Sequence, residues 1–358
     1  MVLSGETGCG KTTQLPQIIL DDLIDSNNGA LCNMICTQPR RISAISVAER
    51  VADERAEKVG KTVGYSIRLE SKTSRETRLL FCTTGVLLRR LQCDSELGGV
   101  SHIFVDEIHE RDLNSDFLLI ILKGLLPSRP NLKLILMSAT LNATQFSEYF
   151  GDAPVIKVPG RTFPVEAFYL EDILELTGHA IVPNSDCAAR KQRGPARRGD
   201  RRKKEGAADS TLSECEDDPN LGQPLPVASL VARYGDAGYS QRTLDSLAIV
   251  DENVINYELL HELLIALDAS TEDGAILVFM PGMREITTLY EMLISDRSTF
   301  GDPDRCRVFP CHSTLTTEEQ RRVFEIPPPG VRKIVISTNI AETSITITDA
   351  VCVVDSGR

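Results

Sequence analysis

The chain has no apolar run approaching the roughly 18 residues that a bilayer-crossing helix needs, so no membrane association is expected. Its cysteines lack the C-x-x-C spacing of a zinc or dithiol redox site. All ten, Cys9, Cys32, Cys36, Cys82, Cys93, Cys187, Cys215, Cys306, Cys311 and Cys352, are expected to be free thiols. Several, such as Cys36, Cys82 and Cys352, lie in apolar strand-like runs, where a thiol behaves as a small buried hydrophobe. No internal repeat stands out at a fixed short period. Positive charge is also short: 39 Lys and Arg face 51 Asp and Glu, for a net charge of −12. That excludes a protein that binds a polyanion with its whole surface and leaves only local contacts with nucleic acid.

What is present is an alternation. The 358 residues suffice for two domains, and an apolar fraction of 42% is ordinary for a folded chain. Short β-rich runs at 31–37, 78–83, 102–106 and 132–138, and again at 275–280, 308–312, 333–338 and 351–355, are separated by helical patterns. Such alternation predicts βαβ units and parallel sheets, an α/β fold. Helices are expected over 42–59, stopping at Gly60, and over 113–126, stopping at Pro127. Thr316 and Glu319 have capping-box spacing ahead of a helix that ends at Pro327. Between the two groups of strands, 177–239 has few aromatics and no sustained apolar period, with a basic run at 190–204 followed by an acidic cluster at 214–218. This composition fits a flexible insertion. The basic run suits RNA binding or a nuclear localisation signal, although a solvated linker is the commoner explanation.

Gly5, Glu6, Thr7, Gly8, Cys9, Gly10, Lys11 and Thr12 have the form G-x-x-x-x-G-K-[ST]. Backbone amides at a helix start wrap a phosphate in such loops, the lysine neutralises the outer phosphates, and the hydroxyl sits on Mg²⁺. Thr13 extends this nucleotide-contacting set. The match alone fits many nucleotide hydrolases, and Asp-Glu pairs are common on loops. Here, however, Val2-Leu3-Ser4 leads into the loop, and Asp106-Glu107 closes the apolar run Ile103-Phe104-Val105. Open parallel sheets place ligands at such strand ends. Asp106 would hold the metal and Glu107 would orient and deprotonate the attacking water. Two carboxylates so close tolerate one another only beside a cation. No Asn-Lys-x-Asp guanine-reading segment occurs, which argues against a GTPase.

Seven segments stand in order: GETGCGKTTQ at 5–14, TQPRR at 37–41, TTG at 83–85, DEIH at 106–109, SAT at 138–140, VFMPG at 278–282 and TNIAETSIT at 338–346. In these the chain resembles the DEAH/RHA group of superfamily 2 helicases. The resemblance implies two RecA-like lobes, each a mostly parallel sheet flanked by helices, with a flexible insertion between them. The first lobe would span 1–170, the linker and insertion 171–250, and a truncated second lobe 251–358. ATP and Mg²⁺ would lie in the cleft and single-stranded RNA across both lobes, coupling hydrolysis to translocation and unwinding.

By the same resemblance, Arg40, Arg41, Arg68, Thr84, Gly85, Gly282, Thr343 and Thr346 would track the RNA backbone without reading bases. The arginines also suit a solvated surface, and the threonines suit strand or cap chemistry. Arg50 and Phe324 would sandwich the nucleotide base loosely, so that other NTPs are accepted as well as ATP. Arg50 is equally placed for an i,i+4 pair with Glu54, and Phe324 for a core position. His109 would join Lys11, Asp106 and Glu107 in the catalytic set. Ser138 and Thr140 would couple the cleft to the RNA channel through hydrogen bonds to 106–109.

The family's glutamine- and arginine-rich motif, which supplies arginine fingers, does not occur before Arg358, so the chain is expected to be a fragment of a longer helicase, weakly active or inactive by itself. An inactive RNA-binding clamp on the same fold is the alternative. A cytosolic or nuclear monomer, with an activator protein as a possible partner, completes the expectation.

Overall fold

A computed structural model describes residues 1–6, 8–139, 143–160, 163–189, 234, 238–342 and 347–358. They form two compact units. The first comprises Met1–Phe163, Gly274–Ile294 and Asp302–Arg358, and the second Pro164–Asp273 and Ser295–Gly301.

The first unit contains both sheets. Eight strands, β1 (Val2–Gly5), β2 (Met34–Gln38), β3 (Val63–Ile67), β4 (Glu70–Lys72), β5 (Leu79–Thr83), β6 (His102–Val105), β7 (Lys133–Ser138) and β8 (Val155–Val158), pair in the order β4-β3-β5-β2-β6-β7-β1-β8. All pairings are parallel except β3 with β4. Side chains that alternate along a strand must be buried on both faces of such a sheet. Thus Met34 and Cys36 of β2, Phe104 of β6, and Ile135 and Met137 of β7 share one core with α1 (Lys11–Asp25) and α2 (Arg41–Glu54). Ile35, Ile103, Val105, Leu134 and Leu136 enter the other, beneath α3 (Thr84–Cys93), α4 (Leu113–Leu125) and α5 (Ala143–Tyr149).

The second sheet, β9 (Ala275–Phe279), β10 (Cys306–Cys311), β11 (Arg332–Ser337) and β12 (Ala350–Asp355), is parallel throughout, in the order β10-β11-β9-β12. The two helix-flanked, mostly parallel sheets are the RecA-like lobes that the resemblance implied. β8 and β12 close their sheets as edge strands, with Val155, Ile156, Val351 and Val353 exposed.

The structure departs from the expected elements in three places. α2 ends at Glu54, before the anticipated stop at Gly60, because Ala56 adopts a left-handed conformation (φ 54°) and the Glu57 amide turns back to the Ala52 carbonyl at 2.9 Å. The short strands β3, β4 and β8 were not anticipated. The helix after Thr316 is only Thr317–Arg321, followed by a 3-10 turn at Arg322–Phe324. Its capping box does form, with the Thr316 amide donating to Glu319 at 2.8 Å and the Glu319 amide donating to the Thr316 hydroxyl at 3.3 Å.

The regular elements described in the second unit are helices. Leu170–Thr177, Gln241–Ile249 and Tyr257–Ser270 bury Leu174, Leu244, Leu247 and Leu259 together. The basic run at 190–204 and the acidic cluster after it lie outside the described residues. Among the described residues no helix is long and apolar enough to cross a membrane.

Lys333 of β11 is buried, with its ammonium held by Asp349 at 3.0 and 3.2 Å. Removing one partner of a buried pair strands the other charge. Asp349→Ala should therefore lower stability by about 2–4 kcal/mol in urea unfolding. A loss below about 0.5 kcal/mol, as at an exposed pair, would show that Lys333 is not sealed from water.

Candidate active site

β1 delivers Gly5 to a loop that turns into α1. Gly8 and Gly10 have φ of 82° and 86°, a region glycine enters without steric cost, and Gly10 is the N-cap of α1. A Cβ on Gly5 would meet Cys9 Sγ at 2.9 Å and the Val158 carbonyl at 3.0 Å. The loop wraps its own lysine: Lys11 Nζ is buried and donates to the carbonyls of Gly5 at 2.6 Å and Glu6 at 2.8 Å. Gln14 donates the amide bond to Gly10 at 2.8 Å that begins the helical ladder. The amides of 11–13 precede it, positions that at a helix start lack an intrahelical partner and can donate to an anion. The Thr13 hydroxyl lies 3.5 Å from the Gly10 carbonyl, Glu6 is exposed, and Thr7 lies outside the described residues.

At the end of β6, Asp106 is buried and fully engaged. Oδ2 accepts from the Thr12 hydroxyl at 2.6 Å and from Gln38 Nε2 at 2.7 Å, and Oδ1 accepts from the Glu107 amide at 2.9 Å. Burial nonetheless pushes its carboxyl up from the usual range. Glu107 has a left-handed backbone (φ 52°), uncommon for a residue with a side chain. Burial, and then the neighbouring Asp106, raise its carboxyl to about 8. Two buried acids held above their ordinary values mark a place short of positive charge. The Thr12 hydroxyl and the Asp106 carboxylate offer the hard oxygens that Mg²⁺ prefers, so the donor set fits the ion.

His109 lies in the 3-10 turn Ile108–Glu110. Its Nδ1 accepts from the Ala139 amide at 3.1 Å, which leaves the proton on Nε2, 3.4 Å from Glu107 Oε2. Burial lowers its pKa, in keeping with a neutral ring. The link from the acidic motif to the following segment therefore runs through the Ala139 backbone. The Ser138 hydroxyl is fully buried and makes no hydrogen bond among the described residues, and Thr140 lies outside them.

The other candidates are dispersed. Arg40 reaches Glu110 at 3.5 Å, and Arg41 donates to the Ser313 carbonyl at 2.8 Å. Arg68 and Gly85 are exposed, and open space surrounds the Gly85 Cα. The Thr84 hydroxyl is turned inward, 3.5 Å from that of Ser115. Gly282 is half-buried, Glu285 lying 3.0 Å from where its Cβ would stand, and Thr343 and Thr346 are outside the described residues. Arg50 is exposed and paired to Glu54 at 2.7 Å, and Phe324 packs half-buried against the second lobe's core. Sequence reasoning assigned no role to Gln38, whose signals were its place in the TQPRR segment and an amide side chain ending a buried strand. It also missed the bonds of Gln14 and Gln17 to Glu54.

A loop closed on its lysine at a helix start, with a Thr–Asp contact and a second acid beside it, has the arrangement of a P-loop nucleotide-binding site. Comparison with known proteins narrows the class. Residues 1–148 match the family described as DEAD/DEAH box helicase, and residues 256–358 the helicase conserved C-terminal domain. Over its whole length the chain is 52% identical to "Putative ATP-dependent RNA helicase DHX57" of Homo sapiens and 49% identical to "DExH-box ATP-dependent RNA helicase DExH3" of Arabidopsis thaliana. It is 48% identical to "ATP-dependent DNA/RNA helicase DHX36" of Mus musculus. It spans 27%, 29% and 34% of the lengths of these three relatives. The chain belongs to the DEAD/DEAH-box helicase family.

An acid whose folded value exceeds its ordinary 4.5 binds a proton more tightly folded than unfolded, so it costs stability increasingly as pH rises from about 4.5 to about 8. In the nucleotide- and metal-free protein, Glu107→Gln should be stabilising. The gain should be negligible near pH 4.5 and reach roughly 1–3 kcal/mol at pH 8. Parallel stability curves for variant and wild type across that window would contradict the assignment.

Proposed function

We propose that the chain is the motor core of an ATP-dependent RNA helicase, hydrolysing nucleoside triphosphate to drive movement along single-stranded RNA. The observation that carries this reading is the Asp106 carboxylate, held at once by Thr12 of the phosphate loop and Gln38, with Glu107 beside it. The loop amides and Lys11 would bind the β- and γ-phosphates. Thr12 and Asp106 would hold Mg²⁺, which when bound neutralises charge developing on the phosphates. Glu107 would take the proton of the attacking water, and a carboxyl raised toward neutrality is a better base than one at its ordinary value. His109 would hold the Glu107 carboxylate and tie it to the Ala139 backbone.

Residues 1–170 and 251–358 would act as the two lobes, with 171–250 as linker and insertion. Arg40, Arg41, Arg68, Gly85, Gly282, Thr343 and Thr346, with the amide of Thr84, would contact RNA phosphates. Ser138 and Thr140 would relay nucleotide state to them. Arg50 and Phe324 would stack on the base by its face, which gives little discrimination among nucleotides. We place the protein in the cytosol or nucleus, where the free thiols found at the nine described cysteines are stable, acting as a monomer open to an activating partner.

The test is NTP hydrolysis with and without single-stranded RNA. In a wild-type version lengthened to the extent of its relatives, hydrolysis should be stimulated by RNA and should use ATP, GTP, CTP and UTP with kcat/KM values within about tenfold of each other, whereas the 358-residue chain alone should turn over weakly. Glu107→Gln should keep nucleotide binding while turnover falls about 10²–10⁴-fold. Undiminished hydrolysis by that variant would remove Glu107 as the base. RNA binding without any turnover in the lengthened wild type would favour a clamp.

A further inference from the structure

Glu54, at the last position of α2, is a hub. Its Oε2 accepts from Gln14 Nε2 at 2.9 Å and Gln17 Nε2 at 2.8 Å, both on α1, and its Oε1 accepts from Arg50 Nε at 2.7 Å. The Glu54 side chain is a quarter exposed, whereas that of Arg50 is 66% exposed. Although burial works against it, hydrogen bonds from Arg50, Gln17 and Gln14 hold the Glu54 carboxyl below its usual value, so it stays ionised.

Gln14 follows Lys11 and Thr12 by less than one helical turn. A side chain tied to it is therefore tied to the frame that holds the phosphates. Among the described residues only Nε of Arg50 is bonded, which leaves its outer nitrogens and most of the exposed guanidinium surface available. Guanidiniums are flat and weakly hydrated, and they stack on aromatic faces. On a mobile exposed arginine that capacity is diluted by rotamer entropy, and a fixed carboxylate removes much of the dilution.

We propose that Glu54 is a positioning residue for the nucleotide base. It fixes the Arg50 guanidinium beside the first turn of α1 as a cationic platform on which any of the four bases can stack. The inference rests on the reading of Arg50 as a base-stacking residue and adds the group that makes that stacking effective. It assigns the i,i+4 pair and the stacking role to the same arginine at once. Gln14 and Gln17 hold the carboxylate from α1, and Arg50, bonded to its other oxygen, is mostly exposed to solvent.

The test is calorimetric binding of ADP, GDP, CDP and UDP, with ribose 5′-diphosphate as a probe that lacks the base. Glu54→Ala should weaken all four nucleotides about 3–10-fold and leave ribose 5′-diphosphate unchanged. The double variant with Arg50→Ala should bind no more weakly than Arg50→Ala alone. Glu54→Gln, which keeps an acceptor for Arg50, should show a smaller loss and guards against a folding defect in the alanine variant. Equal weakening of ribose 5′-diphosphate, an unchanged set of affinities, or additive effects of the two substitutions would each overturn the role of Glu54. If Arg50→Ala alone binds ADP like wild type, the stacking reading itself fails.

Discussion

One buried carboxylate, Asp106, ties the candidate active site to the fold. It receives hydrogen bonds from Thr12 on α1, from Gln38 at the end of β2 and from the amide that follows it. None of these donors is dispensable, because an ionised group without partners in that position is costly, on the order of 1–3 kcal/mol per lost bond. The requirement works in both directions. The register of β2 against β6, which pairs Thr37 with Val105, brings the next residue of each strand, Gln38 and Asp106, side by side. The same carboxylate holds the first turn of α1 in place, so the geometry that the proposed chemistry needs is also the geometry that satisfies burial.

The residue after it is held in a conformation that proteins usually avoid. Left-handed backbone at Glu107, and again at Arg111, costs roughly 1–3 kcal/mol at each non-glycine position. This bend takes the chain out of β6 and into a 3-10 turn within two residues. It puts Glu107 beside Asp106 and brings His109 to the Ala139 amide. A regular helix starting at Asp106 would send these side chains in other directions.

Much of this was legible in the sequence, for a definite reason. Parallel strands covered on both faces must be apolar at nearly every position, so β2, β6, β7, β9 and β11 appeared as uninterrupted runs. The phosphate loop and the acidic pair showed through spacing, because glycine and lysine at fixed intervals have few other uses. β3, with a glycine at its second position, and the polar, three-residue β4 carry no such signature, and β8 is a four-residue edge strand. Gln38 was opaque because its partner lies 68 residues away in the chain. The contact from His109 to Ala139 was opaque because a backbone amide has no letter of its own. Arg50 was visible twice, as half of a helical ion pair and as a stacking position. The two readings are compatible because the pair uses only Nε of the guanidinium.

The two sheets end differently, and the difference has a practical side. β8 carries Lys157 in its middle, a charge that discourages another strand from docking alongside. β12 runs Ala350-Val351-Cys352-Val353-Val354, with its only charge at the final Asp355. Val351 and Val353 point outward, and no described strand pairs on its far side. Such a rim is adhesive: its open row of backbone donors and acceptors can template a strand from a neighbouring molecule, with β-branched side chains to seal the join. In a concentrated solution of this polypeptide, clumping should begin at that border and spare the phosphate loop.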